Sequence, residues 1–151
     1  MTRIIVLLLA ITCGFAAESI AQTDADREAI KRTALNYAEG WYEGNADKME
    51  SALSTDLAKR IARTNDKGQT RLDQMSAMAL VQGTRSGFGK QTPKEQQQKD
   101  VTILDILGGA ATVKLEMRDW VDYMHIAKVN DKWVIVNVLW ELKPKKEEKK
   151  D

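Results

Sequence analysis

Hydrophobic and polar positions divide this chain into a helical half and a strand half. Ile30, Ala34, Tyr37 and Trp41 recur at helical spacing on one stripe, with Lys31, Arg32, Glu39 and Glu43 off it. Thr23 is the expected N-cap, with Asp24 and Asp26 in a first turn where the helix dipole favours anions. Gly44-Asn45 ends this helix, because both residues tolerate the left-handed conformation. Asn45 can then cap a second, short helix from Ala46 to about Leu53. Gly40, inside the first helix, weakens it by about 1 kcal/mol relative to Ala. It also admits a close approach, read here as a helix–sheet contact.

After Ser54-Thr55-Asp56 the helical period is lost. Residues 58–64 and 69–73 flank the turn signal Asn65-Asp66-Lys67-Gly68 and predict a small hairpin. Ser76 can cap a third helix running to about Arg85, and residues 86–99, with Pro93 and a run of Gln, read as a polar loop. The remainder is strands: 101–107, closed by Gly108-Gly109; 111–118, where Val113, Leu115 and Met117 alternate with Lys114, Glu116 and Arg118; then 120–129 and 133–142. These make four strands, or three if the last is bent. Short turns between consecutive strands predict an antiparallel meander, and helices followed by strands predict an α+β fold.

The register of the last hairpin determines what faces its histidine. A two-residue turn at Asn130-Asp131 pairs Val129 with Lys132 and sets Val136 opposite His125. A three-residue turn pairs Val129 with Trp133 and sets Asn137 there instead. Along 133–142 both faces look apolar, with Trp133, Ile135 and Leu139 on one and Val134, Val136, Val138 and Trp140 on the other. Both therefore need cover.

Composition narrows the classes. The chain has 151 residues, 43% hydrophobic and 30% charged, with a net charge of +1. That suits one domain with its own core and supplies no field for nucleic acid or a membrane surface. Arg3, the apolar run 4–17 and Ser19-Ile20-Ala21 read as a secretory signal peptide, 1–21, cut before Gln22. The apolar run is short of the ~20 residues a membrane-spanning helix needs. Cleavage removes Cys13, the single cysteine, and with it any thiolate chemistry. The expected mature protein is an exported domain, 22–143, periplasmic or secreted, with a charged and disordered tail at 144–151. One histidine and no clustered acidic ligands argue against a metal site. No glycine-rich phosphate loop or serine nucleophile elbow appears, so no cofactor is expected.

Tyr37-Ala38-Glu39-Gly40-Trp41, 44–49, 122–128 and 132–141 resemble the putative lumazine-binding family, of the nuclear-transport-factor-two-like (NTF2-like) superfamily that includes ketosteroid isomerase and polyketide cyclases. The likeness runs from about Asp26 to Pro144. It implies a cone-shaped α+β fold, with the N-terminal helices packed on the concave side of a curved antiparallel sheet, and a pocket in the cone. Tyr37 and Trp41 would line that cone, with His125 and Asn137 from the sheet. The resemblance also implies a homodimer through the convex face, which would cover the second apolar side of 133–142.

His125 is the sharpest chemical candidate, as an acid or base near neutral pH, against its alternative as a hydrogen-bonded core or interface residue. Asp122 and Asp119 are the nearest carboxylates. Asp122 has the opposite face parity to His125, and a surface or strand-edge place is expected for it. Arg60 and Arg63 could meet an anionic ligand, with solvent exposure the default. Three functions remain open: a binder of a small hydrophobic or heteroaromatic molecule, or scaffold; a cofactor-free hydrolase, isomerase or dehydratase using His125; and a dimerisation module with a filled cone.

Overall fold

A computed structural model describes residues 16–144, with side chains from residue 24. The expected leader lies mostly, and the tail almost wholly, outside the described residues. The elements are α1 (Ala16–Glu43), α2 (Ala46–Ala52), β1 (Leu53–Thr64), β2 (Thr70–Ser76), α3 (Ala77–Arg85), two single 3-10 turns, β3 (Lys99–Leu107), β4 (Ala110–Met117), β5 (Trp120–Val129) and β6 (Lys132–Leu142). The six strands form one sheet in the order β2-β1-β6-β5-β4-β3. All neighbours are antiparallel except β1 and β6, which run parallel. The sheet is therefore mixed rather than wholly antiparallel. The hairpin β1–β2 and the meander β3–β6 are each antiparallel, and they join at their inner strands across the long connection through α3.

Helix α1 begins at Ala16, so it is already running at Thr23, the expected cap. Its far end follows expectation. Gly44 takes φ +65°, and the Asn45 side chain accepts from the Lys48 amide at 3.0 Å to start α2. Ser76 likewise accepts from the Ala79 amide and caps α3.

The buried stripe of α1, Ile30, Ala34, Tyr37 and Ala38, packs on inward residues of the meander such as Val113, Leu115, Met124 and Ile135. Polar ties fix the helix at both ends. Asp26 accepts from Trp133 Nε1 and from Lys128 Nζ, each at 3.0 Å, while Thr33 Oγ1 donates to the Trp133 carbonyl at 2.9 Å. The Trp133 hydrogen bond and then the Lys128 bond hold the Asp26 carboxyl below its ordinary range. At the other end, Tyr42 Oη donates to the Gln98 carbonyl and accepts from the Arg118 amide.

The β5–β6 hairpin resolves the register in a way neither turn reading anticipates. Asn130 and Asp131 have φ of 47° and 62°, a two-residue turn with both central residues left-handed. Val129 pairs with Lys132, yet His125 pairs with Asn137, because the register shifts by one between His125 and Ile126. Val136 is the extra residue of a β-bulge. The bulge also switches the parity of β6, so Trp133, Ile135 and Val138 are all buried on the inner side while Leu139 is exposed. The strand that looks apolar on both faces in sequence has one continuous inner row that changes phase at Val136.

Gly40 makes a contact different from the expected one. A Cβ there would sit 2.8 Å from the Met49 amide nitrogen and 3.2 Å from the Asn45 carbonyl, so the close approach is between α1 and α2. Ala has the better helix propensity, but the obstacle is backbone. We predict that Gly40→Ala lowers stability by about 1–3 kcal/mol in urea unfolding; a stabilised variant would contradict this packing.

Candidate functional site

The interior of the cone holds charge. On β1 the inward row is Leu57, Lys59 and Ile61, all buried, and on β5 it is Asp122, Met124 and Ile126, also buried. A cation and an anion thus occupy core positions on the two strands that flank β6. Lys59 is 5% exposed and Asp122 0%. Burial of either charge alone would be costly, so they pair.

The surrounding geometry satisfies both groups. Lys59 Nζ donates to Asp122 Oδ1 and, at 2.8 Å, to Tyr37 Oη on α1. Trp120 Nε1 donates to the second Asp122 oxygen at 2.8 Å. The ammonium also lies 4.8 Å from the centre of the Trp140 ring and 5.4 Å from that of Tyr37, within cation–π range. Burial pushes the Lys59 ammonium below its ordinary pKa, with the Asp122 charge pulling the other way. Burial, and then the Asp122 charge, push the Tyr37 phenol well above its usual value.

Tryptophans surround this cluster. Trp120 meets Trp41 edge to face at 5.9 Å and Trp140 at 6.2 Å. All three rings are half-buried against the core. Arg63 lies 5.8 Å from the Trp140 ring centre. Trp41 is pinned from outside by the segment after α3, where a Cβ on Gly89 would sit 2.2 Å from the Trp41 carbonyl oxygen. The polar loop read at 86–99 therefore packs closely on α1 at this point.

The four residues expected to line one pocket do not share one. Tyr37 and Trp41 belong to the cluster just described. His125 pairs in register with Asn137 on the outer side, where it is exposed beside exposed Tyr123. There Arg60 Nη1 donates to Asn137 Oδ1 at 3.1 Å, and the Asn137 amide nitrogen lies 3.3 Å from His125 Nδ1. The arginine fixes the amide orientation, so a neutral His125 carries its proton on Nε2. The groove beside His125 has a volume of about 190 Å³. That is below the ~300 Å³ at which small-molecule pockets begin.

Asp122, expected at a surface or edge, is the most deeply buried carboxylate of the site, because its even parity on β5 faces the cone. Arg63 lies on the tryptophan side and Arg60 on the outer side. Asp119 accepts from the exposed Arg118 guanidinium. Among the described residues no three His, Cys, Asp or Glu side chains gather as metal ligands.

Lys59 was not anticipated, though its signal lies in the pattern. It sits in phase with Leu57 and Ile61, as Asp122 does with Met124 and Ile126. Two charges of opposite sign at apolar-phase positions, each on a strand, already suggest a buried pair.

Residues 25–141 match the family model described as "Putative lumazine-binding". No curated protein matches. Among solved structures, an NTF2-like protein of unknown function from Shewanella baltica is 18% identical, with a TM-score of 0.59, covering 88% of this chain and 99% of that one. An NTF2-like protein with a cystatin-like fold from Novosphingobium aromaticivorans is 12% identical, with a TM-score of 0.64, covering 89% and 95%. One from Streptomyces avermitilis described as a putative dehydratase is 11% identical, with a TM-score of 0.53, covering 81% and 99%. At these identities the likeness establishes the fold, which is the cone-shaped NTF2-like α+β architecture.

The pair leads to a coupling prediction. Lys59→Met or Asp122→Leu alone leaves one charge buried without its partner and lowers stability by about 3–5 kcal/mol. The double variant recovers much of the loss. Additive losses in a urea-unfolding double-mutant cycle would contradict a directly coupled pair.

Proposed function

The chain belongs to the putative lumazine-binding family, and from that premise we propose that it binds a flat heteroaromatic small molecule against Trp41, Trp120 and Trp140. The observation that carries this reading is the run of three half-buried tryptophans in edge-to-face contact around a buried ion pair. Aromatic faces stack on planar ligands with little loss of their own conformational freedom, and fixed polar groups beneath them orient what binds. Lys59, Asp122 and Tyr37, bonded to one another and to Trp120, fix the rings from beneath. His125 stands on the other side of the sheet from this cluster.

Lumazine is the direct probe. Titration into the protein is expected to quench tryptophan fluorescence saturably at micromolar concentrations. Trp140→Leu should weaken binding at least tenfold, whereas Trp133→Phe, which alters a ring bonded to Asp26, should leave it unchanged. No quenching up to millimolar lumazine, or equal loss in both variants, would sink the reading.

We also propose that the protein is exported as a homodimer that pairs through the outer face of the sheet. Leu139 and Tyr123 are directly paired in register there and are 51% and 46% exposed, with Val134 and Val136 half-buried beside them. Sedimentation equilibrium at micromolar concentration is expected to give twice the chain mass, and Leu139→Asp to give the monomer. A wild-type monomer would refute the pairing.

A further inference from the structure

Away from the tryptophans and the buried ion pair, a second cavity opens between α2, the start of β1 and α3, with a volume of about 320 Å³. That exceeds the ~300 Å³ at which small-molecule pockets begin. The chain makes this space by leaving its own ladder. β1 pairs with β6 at Leu53↔Ile135 and next at Ala58↔Asn137, so five steps along β1 are matched by two along β6. Residues 54–57 therefore bow out of the sheet. Helix α3 stands over the bow. Ala77, Val81 and Arg85 recur every fourth residue and share one face of it, with Met78 and Gln82 beside them along the cavity.

The lining is apolar below and charged at the rim. Leu53 and Val81, each 8% exposed, form the floor. Met78 lies at the edge, 73% exposed, on an unbranched thioether chain that can fold over an apolar occupant. Glu50, in the last turn of α2, and Arg85, in the last turn of α3, bring opposite charges to the same cavity. Both are exposed, and among the described residues neither forms an ion pair, with the other or with any third group. The neighbouring charges on α1 and α2 behave differently, since Lys48 is paired with both Glu39 and Glu43.

We propose that this cavity binds a small zwitterion with an apolar body, the chemistry of a free apolar α-amino acid. The ligand carboxylate meets the Arg85 guanidinium, whose planar fork suits two carboxylate oxygens. The ligand ammonium meets the Glu50 carboxylate, and the apolar body lies on Leu53 and Val81 with Met78 over it. Each rim contact is weak by itself, because both groups are solvated. Selectivity comes from meeting both charges at once while the apolar body leaves water. A ligand with one charge leaves the opposite rim group without a partner, and an uncharged one leaves both. The site uses none of Trp41, Trp120 and Trp140, so it is independent of the heteroaromatic reading.

L-Leucine is the probe, titrated into the full, ¹⁵N-labelled chain at neutral pH. Saturable amide shifts are expected at Ser54, Thr55, Met78 and Gln82, with the indole signals of Trp120 and Trp140 unmoved. Leucinamide, which lacks the carboxylate, and 4-methylpentanoate, which lacks the ammonium, should each bind at least tenfold more weakly. Arg85→Gln should weaken leucine at least tenfold and leave leucinamide unchanged; Glu50→Gln should weaken leucine and leave 4-methylpentanoate unchanged. The three-ligand comparison uses wild-type protein, so it stands even if a variant fails to fold. No saturable shift up to tens of millimolar leucine would overturn the proposal. So would shifts confined to the tryptophan indoles, or 4-methylpentanoate or leucinamide binding as tightly as leucine.

Discussion

The Lys59–Asp122 pair sets the terms for the rest of the interior. Two full charges inside a small α+β domain are tolerable only if each meets the other and every remaining lone pair and proton finds a partner. That requirement explains why Tyr37 must come down from α1, why Trp120 turns its indole nitrogen inward and why the Trp140 face lies over the ammonium. It also explains the placement of α1. The helix is tied at one end through Asp26 and Thr33 to the last hairpin and at the other through Tyr42, and between these ties Tyr37 is delivered to within hydrogen-bond distance of the lysine.

Three strands cooperate in bringing the charges together. Lys59 reaches in from β1, parallel to β6, and Asp122 from β5, antiparallel to it. The mixed order of the sheet is what puts β1 and β5 on either side of β6. The bulge at Val136 matters for the same reason. It lets Trp133 and Ile135 face inward at one end of β6 and Val138 at the other, with Trp140 in phase with Val138 beside Lys59. The same phase change sends Asn137 outward to meet Arg60 and His125, so one extra residue settles the occupants of both faces.

Much of the architecture is legible along the chain. The caps at Asn45 and Ser76, the turn at Gly108-Gly109 and the alternation of 111–118 each follow from local chemistry, and each is where the pattern places it. The start of α1 is not, because Thr23 has the composition of a cap but the chain before it also runs helical. The register of the final hairpin could not be read either, since Asn-Asp permits more than one turn and nothing local announces a bulge in a run of Val and Ile. The site is hidden in the sequence for a different reason. His125 draws attention as the single histidine of the chain, whereas Lys59 and Asp122 acquire their interest from burial, which is a tertiary property. Only the phase of each charge among its apolar neighbours records it in sequence.

Lys59 is a desolvated amine held between Asp122 and Tyr37 in the interior. Its side-chain Cε resonance, assigned by comparison with Lys59→Arg and followed across pH by carbon NMR, tests this most directly. The expected result is a titration midpoint clearly below the ~10.4 of an ordinary lysine, together with a shift of that resonance when lumazine is added. A Lys59 that titrates with the exposed lysines and ignores the ligand would contradict it.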